Sequence, residues 1–495
     1  MQGKKEYNEK LFVSFQLSQR IPENNFYRRL KSTLDLSFIS RETKSYYGSE
    51  GQQSIDPEVF FKFMLVGYLE NINSDRKIIE HASMRMDILY FIGYDIDEEL
   101  PWHSTLSRTR KLYGDEIFIS LFRKILSMCI EKGMVSGKRQ AIDSAFIKAN
   151  ASLDSLKEKE LNSDTQSYLD NLNENDENHK VISLKKIKRV EQRPSHLSNK
   201  THYSSTDPDS RISTKPGKPR QLNYYGQISV DTYSHVICGA MADFADKRDS
   251  QSLPIILANT IGNLKKHDIL IQEVIADTNY SSGEALKALE FNRITGYIPN
   301  FPAYIPTREG FSYDPDNDRY ICTQGAHINY YKIQFREECT KKVYRTSSPT
   351  ICYACPLKAT CLGQNSQKYI EDTVDKPLYD RMHERMQTTK AEIMGKIRQS
   401  TVEPVLGTLI NYVNMKRLNT RGISQANKHV LMAAMTYNLK KYMKYTNKIR
   451  NRIVLQVKET LKLTYIYQIL SILPNLYNSF RISIQICFHL KFNIV

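Results

Sequence analysis

Three carboxylates stand out from their surroundings. Asp143 interrupts the apolar run Gln140-Ala-Ile-Asp-Ser-Ala-Phe-Ile147, and Asp277 closes the run Glu273-Val-Ile-Ala-Asp. Both runs read as buried strands, where a charge is costly unless it is paired, hydrogen-bonded or bound to a metal. Glu403 lies in Arg398-Gln-Ser-Thr-Val-Glu-Pro-Val-Leu-Gly407. Pro404 suits the first turn of a helix, so Glu403 is expected to open a helix running through Leu409, Ile410 and Val413. Three acids meeting at one point repel one another, and the usual remedy is a hard divalent cation with oxygen ligands, Mg²⁺ or Mn²⁺. Two such ions about 4 Å apart activate a water or a 3′-hydroxyl and stabilise the leaving oxygen of a phosphodiester. That is the chemistry of nucleases and of strand transfer.

A second constellation is built from sulfur. Cys322 is followed by Cys352-Tyr-Ala-Cys355-Pro-Leu-Lys-Ala-Thr-Cys361. A Cys-x₂-Cys pair with a third cysteine close by and a fourth at a distance can give four thiolates to a tetrahedral Zn²⁺. Reduced cysteines without metal are the alternative reading. Cys339 and His327 are alternate ligands, and Cys129, Cys238 and Cys487 read as core.

Taken together, and in this order, the three acidic segments resemble those of the DDE transposases of bacterial insertion sequences, in the branch with a cysteine cluster inserted before the catalytic Glu. The resemblance runs from about Gly51 to Lys444. It is carried by Ala276-Asp277-Thr-Asn-Tyr280-Ser-Ser-Gly283-Glu, by Thr401-Val-Glu403-Pro-Val-Leu-Gly407 and by Arg421-Gly422. It implies a triad of Asp143, Asp277 and Glu403 holding Mg²⁺ or Mn²⁺ on a ribonuclease-H-like core. It also implies that Arg398 contacts DNA phosphate near the scissile bond, and that the block from Tyr320-Ile-Cys322 through Cys361 shares the family layout. Two positions depart from the pattern: Met394 stands where a tyrosine is expected, and Ile410 where a lysine is expected. Lys416 or Arg417 is a candidate to replace that lysine's charge. Arg421 is expected to touch phosphate or to brace the Glu403 helix, and Tyr280 to touch DNA near the cut or to pack.

Several elements must position these groups. Asp56-Pro57 reads as a helix start ahead of Phe60, Phe61, Met64, Leu65 and Tyr68, and Ser74-Asp75 as another. Ser104 is expected to cap a helix presenting Arg108 and Lys111 to DNA, with Trp102 as a core anchor. Tyr224–Val230 and Val236–Met241 read as a hairpin after Asp143, with Asp231 structural in its turn. Asp207 and Asp209 beside Pro208 read as Asx-turn residues rather than ligands. A helix from about Ser250 leads to the Asp277 strand, Ser281 to Glu284 suggests a capping box, and Thr295–Pro299 is a further strand. The expected fold is α/β: a mixed five-stranded ribonuclease-H-like core interrupted by a small cysteine-rich insertion and preceded by an all-α domain. The expected boundaries are a helical DNA-binding domain at 1–136, a first core segment at 137–300 with a flexible basic excursion at 155–220, the insertion at 301–375, a second core segment at 376–445, and an apolar tail at 446–495.

The chain has 495 residues and a net charge of +16. Lys180 to Arg220 holds eleven Lys/Arg against three Asp/Glu, and Lys396 to Arg452 twelve against one, so the basicity is local. Local basicity beside a proposed metal site suits a phosphate backbone. No run is apolar enough to span a membrane, the first residues lack a signal core, and the clustered cysteines suit a reducing compartment. The expectation is a cytoplasmic, nucleoid-associated bacterial transposase that cuts and joins element ends. Its partners would be double-stranded DNA, terminal inverted repeats and target alike, and a second copy in a homodimeric synaptic complex. The alternatives are a stand-alone Mg²⁺ nuclease and an inactive transposase-derived DNA-binding protein.

Overall fold

The computed structural model describes residues 2, 5 and 14–472, except 49, 52, 160–196, 214–218, 303, 337 and 338. Most of the predicted basic excursion, residues 473–495 of the tail, and Cys487 lie outside the described residues. The chain divides into two compact units, Met1–Asn438 and Leu439–Val495.

The first unit begins with eight α-helices: α1 (Leu17–Arg20), α2 (Phe26–Thr33), α3 (Ser37–Glu42), α4 (Pro57–Leu69), α5 (Asp75–Ser83), α6 (Met86–Ile92), α7 (His103–Leu112) and α8 (Asp115–Glu131). Two start as the sequence predicts. Asp56 caps α4 by accepting from the Glu58 N–H with Pro57 in the first turn, and Ser74 caps α5 by accepting from the Lys77 N–H. Helix α7 starts one residue earlier than Ser104, with Trp102 at the N-cap position and no side-chain cap. Trp102 is not a core anchor: it is 79% exposed.

The central sheet is mixed. Strands β1 (Arg139–Lys148), β2 (Leu156–Glu158), β3 (His202–Ser204), β4 (Arg211–Ser213), β5 (Gln221–Asp231) and β6 (Ile237–Phe244) are followed by α9 (Asp249–Lys265), β7 (Glu273–Ile275), α10 (Gly283–Phe291) and β8 (Thr295–Tyr297). The six-stranded sheet runs β5, β1, β7, β8, with β4 and β6 also pairing with β5. The hairpin strand β5 is antiparallel to β1 and β6, whereas β7 and β8 are parallel to β1. Asp231 ends β5 buried and accepts from the N–H groups of Gly137 and Tyr233, the structural role its sequence position suggested. Ser282, not Ser281, caps α10, accepting from the Ala285 N–H, so no Ser281–Glu284 box forms.

A second sheet follows, five-stranded and antiparallel in the order β13-β12-β11-β10-β9. It comprises β9 (Phe311–Asp314), β10 (Arg319–Cys322), β11 (His327–Arg336), β12 (Cys339–Thr346) and β13 (Tyr369–Thr373), with the short helices α11 (Pro349–Tyr353) and α12 (Lys358–Leu362) before β13. The chain then forms α13 (Lys376–Met386), α14 (Thr389–Tyr412) and α15 (Ile423–Ile472). Glu403 does not open a helix: α14 starts at Thr389 and continues through Pro404. Pro404 removes one intrahelical hydrogen bond, a cost of about 3 kcal/mol. The Thr388 cap and the buried face of Ala391, Met394, Thr401, Val402, Val405 and Leu409 offset it.

Candidate active site

Strand register places the two aspartates. On the parallel pair β1 and β7, Ala141 lies opposite Ile275. Two residues further along in each case, past the end of this pairing, stand Asp143 and Asp277, near enough for the Asp277 charge to act on Asp143. Asp277 leaves the strand and turns the chain: its carboxylate accepts from the N–H and side-chain amide of Asn279 at 3.0 and 3.2 Å.

Helix α14 packs across β1, β5, β7 and β8 and brings in the third acid. Arg398 and Glu403 both project from it toward the aspartates. The Arg398 guanidinium donates to Asp143 Oδ2 at 3.1 Å and to Glu403 Oε1 at 3.5 Å, forming a cationic bridge between the first and third acids. Burial pushes the Asp143 carboxyl up to about 6, with the negative charges of Asp277 and Asp249 adding to the rise and Arg398 opposing it. Burial and Asp249 likewise raise Asp277 above the ordinary carboxylate range. The site is therefore short of positive charge, and Arg398 alone does not balance it. Among the described residues no three His, Cys, Asp or Glu side chains are gathered tightly enough to hold a metal ion together. The chemistry of the donors, three oxygen acids with the Arg398 guanidinium between two of them, is the kind a hard cation takes.

The basic residues have distinct roles. Residues 416–418 form a strap along the end of β1: the Lys148 N–H donates to the Lys416 carbonyl and the Leu418 N–H to the Lys148 carbonyl. Exposed Lys416 and Arg417 line a groove with Lys148, Phe146, Asn223 and Ile410, the residue found in place of the expected lysine. Arg421 is exposed. Asp207 and Asp209 lie in a local turn, the Ser210 N–H donating to the Asp207 carbonyl, and their side chains brace the start of α15. Asp207 accepts from the Tyr224 hydroxyl and the Gly422 N–H, and Asp209 from the Ile423 N–H. Gly422 has φ +92°, a backbone that suits glycine. On α7, Arg108 and Lys111 are exposed as expected, while Arg110 is buried against Asp75.

Of the two readings of Tyr280, DNA contact and packing, the structure takes the second. Tyr280 is fully buried and its hydroxyl donates to Gln227 Oε1 at 2.6 Å, so it packs and cannot reach DNA. Met394 is also buried, against Ile275, Tyr297 and Ala391, in the place where the family pattern has a tyrosine. Two features escaped the sequence reading. Asp249, the first residue of α9, accepts from Ser144 Oγ at 2.7 Å and from Gln227 Nε2 at 3.2 Å. The β11–β12 ribbon exposes Tyr330, Tyr331, Ile333 and Phe335, with the Arg345 guanidinium 3.5 Å above the Tyr331 ring. The alternation of aromatic and basic residues from Tyr330 to Arg345 was the available signal for the ribbon; Asp249 had none beyond an acid at a helix start.

Cys322, Cys352, Cys355 and Cys361 line one cavity between β10 and the two short helices, and all four are free. The Ala326 N–H donates to Cys322 Sγ at 3.3 Å. Cys129 and Cys238 are buried in the core, as expected, and burial pushes the Cys129 thiol up to about 12.

Residues 15–112 match the family model described as transposase domain (DUF772), and residues 321–443 match a transposase DDE domain. No curated protein matches the chain. Among solved structures, the cryo-EM synaptic complex of piggyBac transposase with hairpin DNA aligns over 86% of this chain and 74% of that one. Its TM-score is 0.34 at 10% identity, too low to carry fold or function. Both family matches describe transposases, and the second spans the cysteine cluster, Arg398 and Glu403; over these two segments the chain carries the domains of a DDE transposase, an enzyme type that works through a divalent metal.

Proposed function

We propose that the chain cuts the ends of its insertion sequence and joins them to target DNA, with Asp143, Asp277 and Glu403 as the metal-holding catalytic residues. One observation carries the reading: the parallel pairing of β1 and β7 ends two residues before Asp143 and Asp277, near enough for the Asp277 charge to act on Asp143, and Arg398 links Asp143 to Glu403 from α14. A divalent cation, Mg²⁺ or Mn²⁺, would supply activation of the attacking hydroxyl and charge neutralisation at the leaving oxygen. Asp143, raised by burial and by the charges of Asp277 and Asp249, and Asp277, raised by burial and by Asp249, would favour taking up a cation over remaining bare charges. Arg398, already at the acids, is placed to turn to a phosphate once a cation relieves them. Lys416 and Arg417 in the groove at the end of β1 would hold the DNA backbone leading to the site, and Arg421 would add to the same field.

The core is read as ribonuclease-H-like, supported by a strand order of hairpin, β1, β7, β8 with helices between. The second sheet is read as an insertion held by a structural Zn²⁺ on Cys322, Cys352, Cys355 and Cys361, supported by their shared cavity. Its ribbon of exposed aromatics and basic residues, and the α7 surface with Arg108 and Lys111, suit double-stranded DNA. Because an element has two ends, a homodimer is the expected working form.

The test is cleavage and joining of linear DNA carrying the flanking ends of the encoding element, with Mg²⁺, in wild type, Asp277→Ala and Glu403→Ala. Joined products that vanish in both variants support the reading. Cutting without joining would favour a nuclease, and metal-independent binding with no cutting a DNA-binding protein.

A further inference from the structure

The sheet has a second face, and the residues behind the aspartates form a network that the triad does not explain. Ser144 follows Asp143 on β1 and so points to the opposite face, where register sets it against Gln227 of β5. Asp249 opens α9 over that face and takes both donors on one oxygen, Ser144 Oγ at 2.7 Å and Gln227 Nε2 at 3.2 Å. Gln227 in turn accepts from the buried Tyr280 hydroxyl at 2.6 Å, and Tyr280 closes the single helical turn that Asp277 caps. One continuous chain of hydrogen bonds thus runs from the residue after Asp143, through Asp249 and Gln227, to the turn that begins at Asp277.

We propose that Asp249 is a positioning residue for the metal-binding aspartates, fixing the strand of Asp143 and the turn of Asp277 relative to each other from behind the sheet. The physical need is specific. Asp277 lies past the last residue of a three-residue strand, so ladder hydrogen bonds do not hold it. Two like charges near each other also push apart until a cation arrives. A carboxylate that accepts two hydrogen bonds is a stiffer junction than a neutral acceptor, because charge-assisted bonds are stronger. Asp249 also adds its own negative charge to the field at both aspartates. The inference rests on the reading of Asp143 and Asp277 as metal ligands.

The experiment is Mn²⁺ binding to the full chain by calorimetry, alongside the Mn²⁺ dependence of DNA cleavage. Wild type is compared with Asp249→Ala, Asp249→Asn, Ser144→Ala, Tyr280→Phe and Asp277→Asn, and each variant's melting is followed in chelator. Outer partners of metal ligands are worth roughly 10- to 100-fold in metal affinity. Asp249→Ala is expected to weaken Mn²⁺ binding by that factor and to shift the Mn²⁺ midpoint of cleavage equally, so that excess Mn²⁺ restores the rate. Asp249→Asn keeps the acceptor oxygen and is expected to lose less. Ser144→Ala and Tyr280→Phe, which cut the chain at either end without removing a charge, should each weaken Mn²⁺ binding several-fold and decide the matter if Asp249→Ala does not fold. Unchanged Mn²⁺ affinity with a lowered melting temperature in these variants would overturn the proposal, leaving Asp249 a brace of the fold alone. If wild type and Asp277→Asn bind Mn²⁺ alike, the metal site itself is misassigned, a separate failure.

Discussion

Arg398 is the cation that the chain itself places among the acids, and it offsets only part of their charge. It bridges Asp143 and Glu403 with a single positive charge; the part-buried bond to Asp143 is worth about 1.5–3 kcal/mol, and the long bond to the exposed Glu403 at most about 1 kcal/mol. Arg398→Ala is therefore expected to lower the melting temperature in chelator, and Mn²⁺ should close most of the gap because a divalent ion supplies the missing charge. A gap that persists at saturating Mn²⁺ would mean Arg398 acts by packing rather than by charge. The residues that could be read from sequence were those that violated their surroundings. Asp143 and Asp277 were conspicuous as charges within and at the end of apolar runs, and Arg398 and Glu403 by their resemblance to a known pattern. Asp249 was not conspicuous, since an acid in the first turn of a helix is ordinary. Tyr280 was left between DNA contact and packing, because nearness in sequence to Asp277 says nothing about which face of the sheet it packs on.

Elements were legible where their ends carry their own chemistry. Asp56-Pro57 announced α4, whereas Pro404 misled, because a proline is tolerated inside a helix whose buried face is long enough. Two predictions belong here. If the cysteine cavity of the second sheet holds Zn²⁺, the purified chain should carry about one Zn²⁺ by elemental analysis, and Cys352→Ser or Cys355→Ser should lose it and destabilise the second sheet to proteolysis; a metal-free, equally stable wild type would exclude the site. The other concerns the junction of α15 with α4, where His429 Nδ1 lies 2.6 Å from the Tyr68 hydroxyl in a fully buried setting. Burial and the Arg110 charge push this imidazole down to about 4 from an ordinary 6.5. Between those values the unfolded chain binds a proton that the folded chain refuses, so stability falls as pH falls, by about 2 kcal/mol at pH 5. His429→Gln should flatten the dependence of melting temperature on pH between 7 and 5, whatever its effect at pH 7.

At the scale of the whole molecule the charge of +16 is useful only where it meets phosphate, and the fold exposes basic residues in separate places. The sequence located the basic segments but not their presentation. It put Trp102 in the core, although that residue stands 79% exposed at the start of α7, beside His103, whose ring accepts from Arg76. The ribbon of the second sheet carries aromatic and basic residues that sequence alone could have assigned to a buried strand. Each phosphate neutralised adds about 0.9 to the slope of log affinity against log salt. Arg108→Ala, Lys111→Ala and Arg345→Ala should each flatten that slope by roughly this amount on end DNA. Trp102 is the only tryptophan, so its fluorescence reports on the α7 surface and on no other. End DNA should quench it, with Arg345→Ala shifting the midpoint but not the amplitude at saturation. If DNA binds without changing Trp102 fluorescence, the α7 surface is not an interface and the ribbon and the groove at the end of β1 carry the duplex instead.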